Sequence, residues 1–418
     1  MNRQEKLFMR HQAVVLIGVS QIVCYGALYY SYSIVAGDIA RTFSWPVSWV
    51  FGAFSVALLA GGFVSPIVGR QIDRYGAPPL MALGTLASSV ALAVAALAPN
   101  PAVFIVALIL SQLASTYAQY DAAFACIVQL NPAQARIRIT HLTLIAGFSS
   151  TLFWPLTTWL LEFWSWRTVL FSFAVLNLAV CLPIHLAMRK VARRTHAAAA
   201  LEASARSEGG AAPSVLAVQP ALSGRDSQVG FALVTTGFTL GGFVLGAVLA
   251  QLVPLMGNLG VGEHAVLCAS LFGPSQVAMR FITMAFASGW RPLSLTLLSI
   301  GMLVLAMLLP LFTGSSVIGA AAFASLFGFA SGLTSIVRGT LPLMLFGSTG
   351  YATRMGKMAS FRLVVNSGAP FVLAELVQRA GVHVSLAAMA FIAILGFSAF
   401  LMIGRLVARA QAAAAERL

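Results

Sequence analysis

Ionisable side chains inside otherwise apolar stretches are the places where this 418-residue chain can do chemistry. A charge in such surroundings costs at least a few kcal/mol unless it is paired or wetted. The candidates are Asp121, His141, Arg280, Arg362 and Glu375. Arg280 is the foremost, in the segment Phe272-Gly-Pro-Ser-Gln276-Val-Ala-Met-Arg280. Gln276 stands four residues earlier and so shares its helical face. A guanidinium offers a planar, two-pronged donor and stays charged at any relevant pH, which suits a carboxylate. The competing reading pairs Arg280 with Asp121 or with a helix C-terminus, closing one end of a bundle. Arg362 and Asn366, one turn apart, form a second polar pair.

Asp121 lies in Tyr117-Ala-Gln-Tyr120-Asp121, and His141 follows on the next apolar stretch. An Asp–His pair takes up and releases a proton near neutral pH, so it could carry a proton. A salt bridge from Asp121 to Arg136 or Arg138 is the plainer alternative. Glu375 lies near the end of its stretch and reaches water, while Arg338 can extend to an interface. Gln21, Tyr25, Tyr29 and Tyr32 make a polar stripe at helical spacing. Tyr29 and Tyr32 also fit an interfacial aromatic belt, whereas Gln21 and Tyr25 lie deeper.

The elements that must position these residues are set by composition. Hydrophobic residues make up 59% of the chain and charged residues 9%, against about 25% charged in a soluble domain. Twelve apolar spans can be drawn, near 13–37, 48–69, 79–98, 102–128, 138–161, 167–187, 229–252, 264–287, 292–312, 316–340, 355–378 and 383–405. The expectation is an all-α membrane protein with twelve transmembrane helices in two six-helix halves. Residues 1–187 form the first half and 229–418 the second. Between them 188–228, basic and then rich in Ala, Ser and Gly, is expected to be a flexible linker.

Charge placement sets orientation. With the N-terminus inside, 19 of the 25 Lys and Arg fall in loops on the cytoplasmic side, and only Arg41, Arg167 and Arg379 lie outside. Both termini are therefore expected in the cytoplasm. The net charge of +14 follows this loop pattern, so nucleic acid is not expected as a partner. Residues 1–11 precede an apolar run too long for a cleaved signal, which reads as a retained first helix. Cys24, Cys126, Cys181 and Cys268 all lie in apolar runs without metal-ligand spacing and read as buried free thiols. Small residues recurring every four positions (Gly61, Ser65, Gly69; Gly237, Gly241; Gly328, Gly332) read as faces for close helix packing.

One dense polar segment interrupts the first half: Gly69-Arg70-Gln71-Ile72-Asp73-Arg74-Tyr75-Gly76. Gly69 suits a close helix approach, Gly76 a tight turn, and Asp73 the cap of a helix N-terminus. The segment resembles the G-x-x-x-D-R-x-G signature of major facilitator superfamily transporters at Gly69, Asp73, Arg74 and Gly76, a loop involved in gating. Ala77-Pro78-Pro79 stands where that family usually has basic residues. The Arg280 segment resembles the eighth helix of monocarboxylate transporters and bacterial oxalate:formate-type antiporters, where an Arg contacts the substrate carboxylate. Gln276 stands where the monocarboxylate transporters carry an Asp. Phe346-Gly347 to Tyr351 resembles the same group. A weak repeat (Pro66 and Arg70; Pro274 and Arg280) accords with duplicated halves around a midplane site.

The resemblance implies a secondary active transporter working by alternating access, with the first, fourth, seventh and tenth helices lining its cavity. The cargo expected is a small organic anion such as a monocarboxylate, held by Arg280, Gln276, Arg362, Asn366, Gln21 and Tyr25. Proton coupling falls to Asp121 and His141. The alternative is an efflux pump for hydrophobic or cationic compounds, but Gly147 to Pro155 does not reproduce the Gly-Pro-rich motif of drug exporters. A non-transporting sensor on the same fold is a third reading, disfavoured because no appended domain supplies an output. Neither catalytic residues, a cofactor nor a metal is expected, and a phosphate-cradling P-loop is lacking. The expected setting is a monomer in the lipid bilayer of a bacterial inner membrane.

Overall fold

The computed structural model describes residues 3–207, 218–287 and 289–415, and they are helical almost throughout. Ten helical spans are long and apolar enough to cross a membrane once: α1 (Gln12–Phe43), α2 (Val47–Tyr75), α3 (Ala77–Ala96), α4 (Pro101–Leu130), α5 (Pro132–Phe163), α6 (Trp166–Arg194), α7 (Gly224–Ala250), α8 (Gly262–Phe286), α9 (Pro292–Thr313) and α10 (Val317–Phe346). A further stretch, Tyr351–Ala412, turns at Gly381, whose φ of 82° leaves the helical region. It supplies α11 (residues 351–380) and α12 (residues 382–412), which makes twelve crossings. The chain is a multi-pass membrane protein. Helices suit this setting because each satisfies its own backbone polar groups where no water can.

Several helix ends carry the caps their sequences offer. Asn100 accepts from the Val103 amide at the start of α4, Ser165 from Thr168 at the start of α6, and Ser316 from Gly319 at the start of α10. More consequential are interruptions within the spans. The helix of α4 stops at Ser115 and restarts at Tyr120. That of α5 breaks at Gly147 and Phe148, α8 at Leu271 and α11 at Gly368, while α1 loosens into a π-turn over Gly26–Tyr30. Such breaks release backbone groups that side chains or ligands can use.

Two compact units are present: Met1–Val218 with Ser348–Lys357, and Gln219–Gly347 with Met358–Leu418. The first is built around Phe104, Phe153, Phe173 and Trp166, with the Phe104 and Trp166 rings edge-to-face at 5.8 Å. The second has Phe238 against Phe400 at 5.1 Å and Phe272 against Phe327 at 5.2 Å. Of the expected linker, residues 188–207 continue a helix that runs over Leu182–Ser207, and Gly224 opens α7. Its alanine-rich composition favours helix. Residues 208–217 lie outside the described residues.

Candidate functional site

Each unit holds a polar cluster. In the second, α10 and α8 meet backbone to backbone. A Cβ on Gly332 would fall 2.4 Å from the Gln276 carbonyl oxygen, and one on Gly328 would fall 2.5 Å from that of Phe272. Side chains cannot occupy that space, so the helices close on each other, as small-residue faces allow. This contact sets two i, i+4 pairs side by side. Gln276 Nε2 donates to Ser331 Oγ at 2.7 Å, and Arg280 Nε donates to Ser335 Oγ at 3.0 Å. Ser335 Oγ donates in turn to the Gly332 carbonyl at 2.7 Å.

Arg280 is 5% exposed. Among the described residues of its own unit, Ser335 is its sole hydrogen-bond partner, and no carboxylate pairs with it. Glu375 pairs with Arg379 at 2.5 Å instead. A buried guanidinium without a counter-charge is costly. The arrangement therefore favours any anion that can reach it.

Arg362 and Asn366 lie on α11 and pack against α7. A Cβ on Gly242 would fall 2.7 Å from Asn366 Nδ2 and 3.4 Å from Arg362 Cγ. Asn366 Oδ1 is buried with no hydrogen-bond partner, as is Thr239 Oγ1 on α7. Arg362 is half-buried and engaged by neighbours. The two arginines thus belong to different helix pairs of one unit. Ser331, Ser335 and Thr239 escaped the sequence reading. The two serines did leave a trace, since they stand four apart on the helix that carries Gly328 and Gly332.

In the first unit the cluster forms at the break in α4. Gln21 is fully buried, and its Nε2 donates to the Ala118 carbonyl at 2.8 Å while its Oε1 has no partner. Through that bond Gln21 straps α1 to the unwound segment of α4. Tyr25 meets Tyr120 in a tilted pair with ring centroids 4.6 Å apart, and Tyr120 stacks on Phe124 at 5.4 Å. Asp121 follows in the first turn of the resumed helix, where the N-terminal dipole favours a negative charge. His141 sits on the Ala135–Ala146 segment of α5, which packs against that helix. Asp121, His141, Arg136 and Arg138 are all engaged by neighbours, Arg138 donating to Gln134 Oε1 at 2.9 Å.

The polar loop between α2 and α3 is also placed. Gly76, with φ of 87°, ends α2 and starts α3 without a spacer. Gln129 fastens this turn, accepting from the Ala77 amide at 2.8 Å and donating to the Ile72 carbonyl at 3.1 Å. Asp73 caps no nearby helix. Its carboxylate accepts from the amides of Ala352 and Thr353 at 3.2 and 2.7 Å, at the N-terminus of α11. Gly69 permits this: a Cβ there would fall 2.3 Å from the Ala352 carbonyl oxygen. The exposed Arg74 lies over the ring of Tyr75 at 5.2 Å.

The sequence profile described as Major Facilitator Superfamily matches residues 17–374. Three solved structures are similar in fold. The human organic anion transporter MFSD10 (TETRAN) superposes with a TM-score of 0.70 at 16% identity, covering 94% of this chain and 99% of that one. The proton:xylose symporter XylE, bound to 6-bromo-6-deoxy-D-glucose, gives 0.65 at 12% identity over 93% and 95%. The transporter FucP in its outward conformation gives 0.63 at 14% identity over 93% and 98%. No curated protein gives a significant match.

Proposed function

The chain belongs to the major facilitator superfamily, and from that premise we propose that its cargo is a small organic anion, with a monocarboxylate as the type case. Arg280 carries the reading: a guanidinium 5% exposed, held through Nε by Ser335, with no acid beside it in its own unit. With Nε fixed by a neutral hydroxyl, the terminal nitrogens keep their charge for a carboxylate, which a planar fork meets at two points. Gln276 adds an amide on the same face. Arg362 and Asn366 supply a second anchor on α11, and in the first unit, taken by itself, Gln21 and Tyr25 are the residues assigned to substrate. MFSD10 is an organic anion transporter; its likeness extends to fold, so the weight rests on Arg280.

The same proposal assigns proton coupling to Asp121 and His141 and places both termini in the cytoplasm of a bacterial inner membrane, following the Lys and Arg asymmetry. The transporter acts as a monomer. The gating role belongs to Gly69, Asp73, Arg74 and Gly76, whose turn is tied to the start of α11.

Uptake and efflux of a panel of radiolabelled carboxylates in proteoliposomes, with and without a pH gradient, tests the reading. Wild type moves at least one carboxylate, and Arg280→Ala loses that transport while inserting normally. Unchanged transport in Arg280→Ala removes the residue from the site. Movement of cationic dyes without carboxylates hands the assignment to an efflux pump.

A further inference from the structure

Away from the α4 break, the first unit holds a cavity of about 330 Å³ lined by Tyr75, Pro78, Pro79, Gln129, Arg189 and Arg193, among others. It lies where the α2–α3 turn meets the ends of α4 and α6, at the ends of the spans rather than along their middles. Its wall is preformed. Gln129 uses both ends of its amide to tie Ile72 to Ala77, and Pro78 and Pro79 stiffen the first turn of α3. Arg189 and Arg193 are exposed and stand four apart on α6, so both guanidiniums share one face. Neither makes a hydrogen bond or ion pair among the described residues. Two like charges at that spacing repel each other, and a shared anion turns the repulsion into attraction.

We propose that this cavity binds a phosphate ester, and that the ester is the headgroup of an anionic phospholipid. The two guanidiniums face the phosphate oxygens, for which Arg geometry is suited. The proline rings and Leu130 offer an apolar shelf for the glycerol and the first acyl carbons. A basic pocket beside transmembrane helices at the headgroup level is the physical setting for such recognition. The alternative source of the same chemistry is a free soluble phosphate ester.

The test uses the full-length purified chain in phosphatidylcholine nanodiscs titrated with phosphatidylglycerol, read by native mass spectrometry and by thermal unfolding. Glycerol phosphate, without acyl chains, forms a parallel arm. Wild type retains phosphatidylglycerol and gains thermal stability, and the Arg189→Gln/Arg193→Gln variant binds it roughly tenfold more weakly. A charge-matched control, Lys190→Gln/Arg194→Gln, removes two neighbouring cations that do not line the cavity and leaves binding unchanged. If the control loses as much as the pocket variant, attraction is diffuse and the site is refuted. The same holds if phosphatidylglycerol binds no better than phosphatidylcholine to wild type, a comparison that needs no variant to fold. Glycerol phosphate binding as tightly as the lipid overturns the lipid assignment.

Discussion

Arg280 and Ser335 form the smallest unit in which the proposed chemistry can be perturbed without deleting the charge. Ser335 Oγ accepts from Arg280 Nε and donates to the Gly332 carbonyl, so the hydroxyl relays the helix backbone to the guanidinium. Ser335→Ala leaves a charged donor unmet in a buried place, at a cost of about 1–3 kcal/mol. The guanidinium then loses its fixed direction but keeps its charge. Transport measured against carboxylate concentration is expected to show KM raised roughly five- to tenfold, with the maximal rate within about twofold of wild type. Unaltered KM would mean that Ser335 packs α10 without aiming Arg280. Of this site, Arg280 was readable because a charge inside an apolar run is rare. Ser331 and Ser335 were not, because hydroxyls commonly satisfy themselves on their own helix backbone.

The α8–α10 contact governs where Gln276 and Arg280 sit. A Cβ at Gly332 meets a backbone carbonyl at 2.4 Å, which cannot swing aside as a side chain can. Gly332→Val is therefore expected to push the helices apart, lower the thermal unfolding midpoint by several degrees and bring carboxylate uptake close to background. Gly246→Ala on α7, with nothing within 4 Å of its added carbon, serves as the matched substitution and leaves both readouts in place. A Gly332→Val protein as stable and active as wild type would show that the close approach is dispensable. The interruptions at 116–119, 147–148, 271 and 368 belong to this scale too, and apolar periodicity passed straight across them. Periodicity registers which side chains face lipid. It carries no record of which amides lack a partner.

Across the chain, the distribution of Lys and Arg predicts which loops face which compartment. Cys24, Cys126, Cys181 and Cys268 are buried, so a membrane-impermeant maleimide meets little background on intact cells. Arg41→Cys and Arg167→Cys are expected to label from outside, and Arg291→Cys only after permeabilisation. The reverse pattern would invert the proposed topology. The membrane spans and the burial of a charge at Arg280 could be read along the sequence, because each sets local composition against a hydrocarbon slab about 30 Å thick. Partners are another matter. Asp73 reads as a cap for a helix N-terminus, but which helix it caps was not legible: the amides it accepts from, at the start of α11, are 279 and 280 residues away. Gln21 reads as a polar residue on the cavity-facing helix, and only the fold shows that its amide nitrogen holds the main chain at Ala118. Those choices were made by which helix surfaces approach closely, and that depends on side-chain volume on both faces at once, a property that a single strand of letters does not contain.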